Sequence, residues 1–290
     1  MLEVTLEEAN LQGANLQDAH LKVANLQKAN LQGANLQHAY FRGARLQEAN
    51  FQEANLEKAV FQEADLRGAN FKKAHLIQTI FIGADLTDIT ESHEVIVTNF
   101  EEANLERADL SCAKLKRANL QKANLYKANL KAADLEAADL RHSNLTEADF
   151  LDANLRVAFL REANFFRADL HRADLQVAYL YRANLQSAKL VGANLQRADL
   201  QKSNLKLANF TSANLQSADL YRADLEAANL KEADLQNAHL EGANLYRANL
   251  EGTNLKDANL DIADLSQIKN FTEEQIQSAQ NWERARRDIQ

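Results

Sequence analysis

The sequence has 290 residues, 46 % of them hydrophobic, with a net charge of −8, and this composition excludes general disorder. A single cysteine, Cys112, excludes an internal disulfide framework or a cysteine-based zinc site, and the acidic balance argues against nucleic acid or an anionic membrane as partner. Proline is absent and glycine occurs only eight times, so other residues must make the turns.

The N-terminus, MLEVTLEEANL, is acidic and lacks the apolar core of a secretory signal. No apolar run approaches the roughly 18 residues that span a bilayer. The expectation is a cytoplasmic protein with no membrane association.

A period of five begins at once. In residues 1–86 a large apolar residue recurs from Leu6 to Leu86, and after an interruption the period resumes from Phe100 to Leu265. All 51 such sites are Leu or Phe. We denote this site i. At i−2, 45 of the 51 residues are Ala, and the exceptions are Val4, Thr79, Thr98, Ser143, Ser203 and Thr253. Asn or Asp dominates i−1, and Gln, Glu, Lys and Arg dominate i+1 and i+2.

Steps of five smear the leucines around an α-helix, which has 3.6 residues per turn, and alternate them across a flat strand. Only a backbone that turns by a fixed angle every five residues keeps them all inside. That is a coil with flat sides, one repeat per side. Leu fills its axis and Ala packs beside it. Asn or Asp sits near the corner, where its side chain bonds nearby backbone and replaces Gly and Pro.

The motif A(N/D)LXX, as in ADLEAADLRHSNL (133–145) and ANLQSADLYRADL (213–225), closely resembles the pentapeptide-repeat family over about residues 2–265. The resemblance implies an all-β fold, a right-handed quadrilateral β-helix with four repeats per coil. Phe41, Phe51, Phe61, Phe71 and Phe81 alternate with Leu, and a period of ten is compatible with four sides.

The sequence divides into a first repeat segment (1–86), an interruption (87–99), a second repeat segment (100–265) and a C-terminal segment (266–290). The interruption lacks the motif and breaks the register. It reads either as a bulged loop or as a functional loop of the kind that the resemblance associates with gyrase-protecting members. Its Val95, Ile96 and Val97 are candidates to pack back, with Ile77, Ile80 and Ile82 as the surface that receives them. In the C-terminal segment, Thr272 and Gln275 form a capping box, and Phe271 and Ile276 a hydrophobic staple. The pattern predicts a capping helix over 273–288, covering the last coil with Ile276, Ala279, Trp282 and Ile289. Phe271, Ile276 and Trp282 are candidate contacts for the cap or for a homodimer through this end, since the resemblance includes members that dimerise there. Glu3, Glu7 and Glu8 discourage pairing at the other end.

No catalytic constellation is present. The seven histidines, His20, His38, His75, His93, His142, His171 and His239, follow no ligand spacing. A convex rod with a filled axis offers no deep substrate pocket. We expect no enzyme activity, cofactor, metal or small-molecule substrate.

Residues one coil apart share a face, so apolar residues that break the polar rule can be read by columns. Val157, Phe159, Val177 and Tyr179, in RVAFL and QVAYL, form the main candidate protein-binding patch. The alternative is that they merely stabilise neighbouring coils. His20, Tyr40, Val60 and Ile80 form a secondary column. Tyr126, Phe166 and Tyr246 share another face, more widely spread. The functional expectation is a non-enzymatic scaffold that presents a rigid surface to a protein partner of unknown identity. The alternative drawn from the resemblance is a DNA-mimic modulator of a type II topoisomerase (gyrase). Residues 1–99 carry 13 acidic and 8 basic residues, and 100–290 carry 28 and 25, so basic residues interrupt any phosphate-like ladder.

Overall fold

The computed structural model describes residues 4–91 and 94–288. Within it each pentad is one side of a four-sided parallel coil. The i−1 residue pairs with its counterpart on the next coil: Asn30 with Asn50, Asn35 with Asn55, Tyr40 with Val60, Arg45 with Asp65. Each pairing carries two backbone hydrogen bonds. The Leu31 N–H donates to the Asn50 carbonyl at 2.8 Å, and the Asn50 N–H donates to the Ala29 carbonyl at 2.9 Å.

The corner follows from local chemistry. The Ala29 N–H donates to the Leu26 carbonyl at 3.1 Å and closes the turn. In every repeat except that of Leu86, where the hairpin begins, the i+2 position is left-handed, as at Lys28 (φ 55°) and His38 (φ 57°), and all eight glycines occupy it. The i−1 asparagines lock the corner from both sides. Asn30 Oδ1 accepts the Gln32 N–H at 3.2 Å and the Asn50 Nδ2 at 3.2 Å, and Asn50 Oδ1 accepts the Asn70 Nδ2 at 3.0 Å. This ladder supplies the turn chemistry that Gly and Pro supply elsewhere.

The inward residues are buried from Leu21 to Leu265, whereas Leu6, Leu11 and Leu16 in the first coil are half-buried. The small polar residues at i−2 bond locally. Ser143 and Ser203 donate to the carbonyls of Leu140 and Leu200, and Thr79 and Thr253 donate to those of Leu56 and Leu230 in the preceding coil. Each is a core filler with its hydroxyl satisfied.

The chain forms two compact units that divide at Asp149/Phe150, and the interruption lies inside the first. The phenylalanines of this first unit form two ladders. Phe41, Phe61 and Phe81 stack at 4.7 and 5.1 Å, Phe51, Phe71 and Phe100 stack at 4.8 Å, and the ladders meet edge to face at 5.7–6.2 Å. The second ladder continues past the interruption because Asn70 pairs with Asn99, where unbroken spacing would have paired it with position 90. The difference, 99 less 90, is the length of chain that stands outside the coil.

These extra residues form an antiparallel hairpin, β1 (Ile89–Glu91) and β2 (Glu94–Ile96), with Ile89 opposite Ile96. Both isoleucines lie on the corner at Gly68, where an added Cβ would stand 2.9 Å from Ile89 Cγ2 and 3.3 Å from Ile96 Cγ2. Arg117 pairs with Asp88 at 3.0 Å, and Thr98 Oγ1 accepts the Gly68 N–H at 3.0 Å. The expected docking surface at Ile77, Ile80 and Ile82 is corrected: these residues lie on other columns, and a corner without a side chain receives the hairpin instead. Val95 is exposed.

The predicted helix over 273–288 is also corrected. Helix α1 spans Glu273–Gln277, with the Thr272–Gln275 capping box intact. It stops because the last coil presents open backbone groups that the chain returns to satisfy. Gln280 pairs with Asn259 and Arg286 with Asp264, and a 3-10 turn spans Trp282–Arg284 between them. The Gln280 N–H donates to the Ala258 carbonyl at 2.8 Å, and the Leu265 N–H donates to the Arg286 carbonyl at 2.8 Å. Ile276 is fully buried, and Gln275 Nε2 donates to the carbonyls of Leu250 and Thr253.

Candidate functional site

In the second unit the coil register brings the four residues of the main patch together. Phe159 and Tyr179 pair in parallel as i−1 residues of adjacent coils. Their rings stack with centroids 5.3 Å apart and planes at 6°, and they are 42 % and 43 % exposed. Val157 and Val177 occupy the i+2 corner beside them and are half-buried.

These valines are conformationally costly. Their φ values are 49° and 58°, in the left-handed region that crowds a β-branched side chain. The β-branched side chains at the i+2 position of the repeats are those of Val23, Val157, Val177 and Ile262. Two of these fill a gap left by a glycine one coil away. Val23 lies 3.4 Å from the position of a Cβ on Gly43, and Ile262 lies 3.8 Å from that on Gly242. Val157 and Val177 neighbour each other instead and widen the aromatic stack into one apolar surface.

The edge of the patch is cationic. Tyr181, just beyond Tyr179, has Arg161, Arg182 and Lys202 within 5.3–5.5 Å of its ring. Lys202 Nζ also bonds Tyr181 Oη at 3.3 Å. Sequence reasoning missed the underlying pattern. Every aromatic at i+1 is followed by a cation that lies over its ring: Tyr126–Lys127, Phe166–Arg167, Tyr181–Arg182, Tyr221–Arg222 and Tyr246–Arg247, at 4.9–5.3 Å. The dipeptides were legible; their meaning depends on the left-handed corner that folds i+2 back over i+1.

Further along the column the face turns polar. Tyr179 pairs with Asp199, then Asp199 with Asp219, Asp219 with His239, and His239 with Asn259. Burial pushes the Asp199 carboxyl up; the Gln201 N–H opposes this, and the adjacent Asp219 charge adds to the rise. Gln201 Nε2 donates to Asp219 Oδ2 at 2.7 Å. A trough of about 500 Å³ lies here, with Asp219, His239 and Asn259 among its lining.

The secondary column forms as well: His20 pairs with Tyr40, Tyr40 with Val60, and Val60 with Ile80. His20 is exposed and the other three are half-buried. At the C-terminal end, Phe271 is half-buried beneath the Arg287 guanidinium at 5.9 Å, and Arg287 also pairs with Glu273. Trp282 is half-buried. Ile276 packs inside its own chain, so it is a core contact of that segment. Glu3, His93 and Ile289 lie outside the described residues.

Among the described residues no cluster of His, Cys, Asp or Glu could hold a metal ion, and no helix is long and apolar enough to cross a membrane. Many cations pair with carboxylates one coil away, as in Lys116–Glu136 and Lys231–Glu251.

Comparison with known proteins places this architecture. A family model described as "Pentapeptide repeats" matches in overlapping copies over residues 5–88, 98–226 and 228–267. HetL, a pentapeptide repeat protein involved in heterocyst differentiation regulation from the cyanobacterium Nostoc sp. strain PCC 7120, is 32 % identical over 88 % of each chain (TM-score 0.25). Rfr23 from the cyanobacterium Cyanothece 51142 is 42 % identical over 29 % of this chain and 58 % of its own (TM-score 0.29). QnrB1, a plasmid-mediated fluoroquinolone resistance protein, is 16 % identical over 60 % of this chain and 88 % of its own (TM-score 0.36). No curated protein matches. The family implies the right-handed sense of the coil, and the repeat matches, spanning most of the sequence, establish that the chain belongs to the pentapeptide repeat family.

Proposed function

We propose that this protein is a non-enzymatic binding module that presents the Val157, Phe159, Val177 and Tyr179 face to a protein partner. The observation that carries this reading is the pair of left-handed valines beside an exposed aromatic stack. Left-handed backbone costs any residue with a Cβ roughly 1–2 kcal/mol, a β-branched side chain is crowded further there, and an apolar face in water returns little of that. Surfaces that keep such residues clustered and exposed are typically interaction sites. The C-terminal segment closes the last coil in this reading, with Ile276 as its plug.

The DNA-mimic reading is weaker. Cross-coil ion pairs neutralise carboxylates along the coil, as at Lys206 with Asp224 and Glu226. An aromatic, cation-edged face also resembles no phosphate ladder.

Affinity capture tests the proposal. A Phe159→Glu, Tyr179→Glu variant should keep its circular dichroism spectrum and melting temperature and lose a protein that the wild type retains. Identical captures would return the patch to a role in stabilising neighbouring coils.

A further inference from the structure

Most cations among the described residues pair with a carboxylate, as Arg156 and Arg161 beside the patch do with Asp174 and Glu162. Arg182, Arg197, Lys202 and Arg222 have no carboxylate within ion-pair distance among the described residues. Arg197 continues the Val157–Val177 corner by one coil. Arg182, Lys202 and Arg222 occupy the opposite corner of the same side on three successive coils. The side is thus apolar at its first two coils in this unit and flanked by unpaired positive charge from the second coil onward, in a chain whose net charge is −8. The carboxylates between them, Asp199 and Asp219, are half-buried in the floor. Their oxygens accept from the Gln201 and Tyr221 N–H groups, and Asp219 also accepts from the Gln201 side chain. They are held inward while the cations reach outward.

We infer that this face takes an acidic polypeptide segment whose aromatic or branched aliphatic side chain seats on Val157, Phe159, Val177 and Tyr179 while its carboxylates meet Arg182, Arg197, Lys202 and Arg222. The inference rests on the proposed function above and adds the chemistry of the partner. Charge complementarity selects the acidic segment: its carboxylates supply the counter-charge that these four side chains lack, steer its approach and fix its register. Arg suits this role because its planar fork matches a carboxylate. A nucleic acid strand fits less well. The rings of Phe159 and Tyr179 stack on each other, so they present edges outward and offer no free face for a base on that side of the pair.

Fluorescence anisotropy on the full chain tests this. Three labelled 12-residue probes share the same Leu and Phe residues and differ only in the alternate positions, which are Glu, Gln or Lys; a single-stranded oligonucleotide is the fourth. The Glu probe should bind at least about tenfold more tightly than the Gln probe at low salt, with that preference shrinking as salt screens the charges. Arg197→Gln with Lys202→Gln should remove most of the preference without changing the melting temperature, whereas Phe159→Glu with Tyr179→Glu should abolish binding of every peptide probe. Equal binding of the Glu and Gln probes, both lost in the aromatic variant, would overturn the acidic assignment and leave the binding face standing. Preference for the Lys probe, or for the oligonucleotide, would overturn it as well. Absence of binding by every probe would count against both readings.

Discussion

Phe100 stacks on Phe71 at 4.8 Å with the rings within 3° of parallel, although the chain between them is longer than one coil requires. Phe81 meets Phe100 edge to face at 5.9 Å. The inner ladder therefore passes the hairpin without losing register, and the hairpin is an appendage to the coil. Replacing residues 88–97 by one glycine restores five-residue spacing between Leu86 and Phe100. The shortened protein should fold with the same circular dichroism spectrum and a melting temperature within a few degrees of wild type. Loss of cooperative unfolding would show that the hairpin sets the register.

Gly68 reports how the hairpin docks. Its φ is 68°, and an added Cβ would meet Ile89 at 2.9 Å. Gly68→Ala should destabilise the full chain by about 2 kcal/mol, combining left-handed strain with displacement of the hairpin. In the shortened protein only the strain remains, so the cost should fall to about 1 kcal/mol. Equal costs in urea unfolding would place the isoleucines elsewhere.

Leu195 is fully buried on the axis of the second unit. Leu195→Asp places a carboxylate where no partner exists and should cost about 3 kcal/mol or more. Because repeats contact mainly their neighbours, hydrogen exchange should rise most in the coils beside it. An unchanged melting temperature would contradict the inward assignment.

Burial pushes the Asp65 carboxyl up, but hydrogen bonds from the Arg67 side chain and N–H, together with the Arg67 charge, hold it below the usual range. A depressed folded value gives stability that is present above the unfolded value, about pH 4, and lost as pH falls through the folded one. Arg67→Gln should therefore lower stability at pH 7, by no more than about 1 kcal/mol for so exposed a pair. The difference from wild type should shrink below about pH 4. A gap unchanged at pH 2 would remove the ion pair as its cause.

Val157→Gly with Val177→Gly separates stability from binding. Relief of left-handed strain outweighs the backbone entropy of glycine, so the variant should be stabilised by roughly 0.5–1 kcal/mol in all. It should also hold the partner more weakly, having lost half of the apolar surface. Lower stability together with unchanged capture would mean that the valines serve the coil.

The period of Leu6 to Leu265 made the coil legible because every repeat obeys one local rule. Column reading likewise placed Phe159 beside Tyr179 and Tyr40 beside Val60, since side chains one coil apart must meet. Three features needed tertiary information. The seat of the hairpin at Gly68 depends on a missing side chain on another coil, which no local pattern signals. The helix over 273–288 looked continuous because the capping box at Thr272 is strong. Ala279–Gln280 and Ala285–Arg286 are the concealed signal, two remnants of the repeat that re-enter the ladder at a spacing of six instead of five. The unpaired cations of the candidate site were present in the sequence, but only the fold shows which of them lack a carboxylate.

The most direct test of the binding face is site-specific photo-crosslinking. A benzoylphenylalanine at position 159, compared with one at position 209 on the opposite side of the same unit, reads contact without disturbing charge. A covalent adduct with a single protein is expected from position 159 and none from position 209. Equal adducts from both positions, or none from 159 while wild type retains its partner, would contradict it.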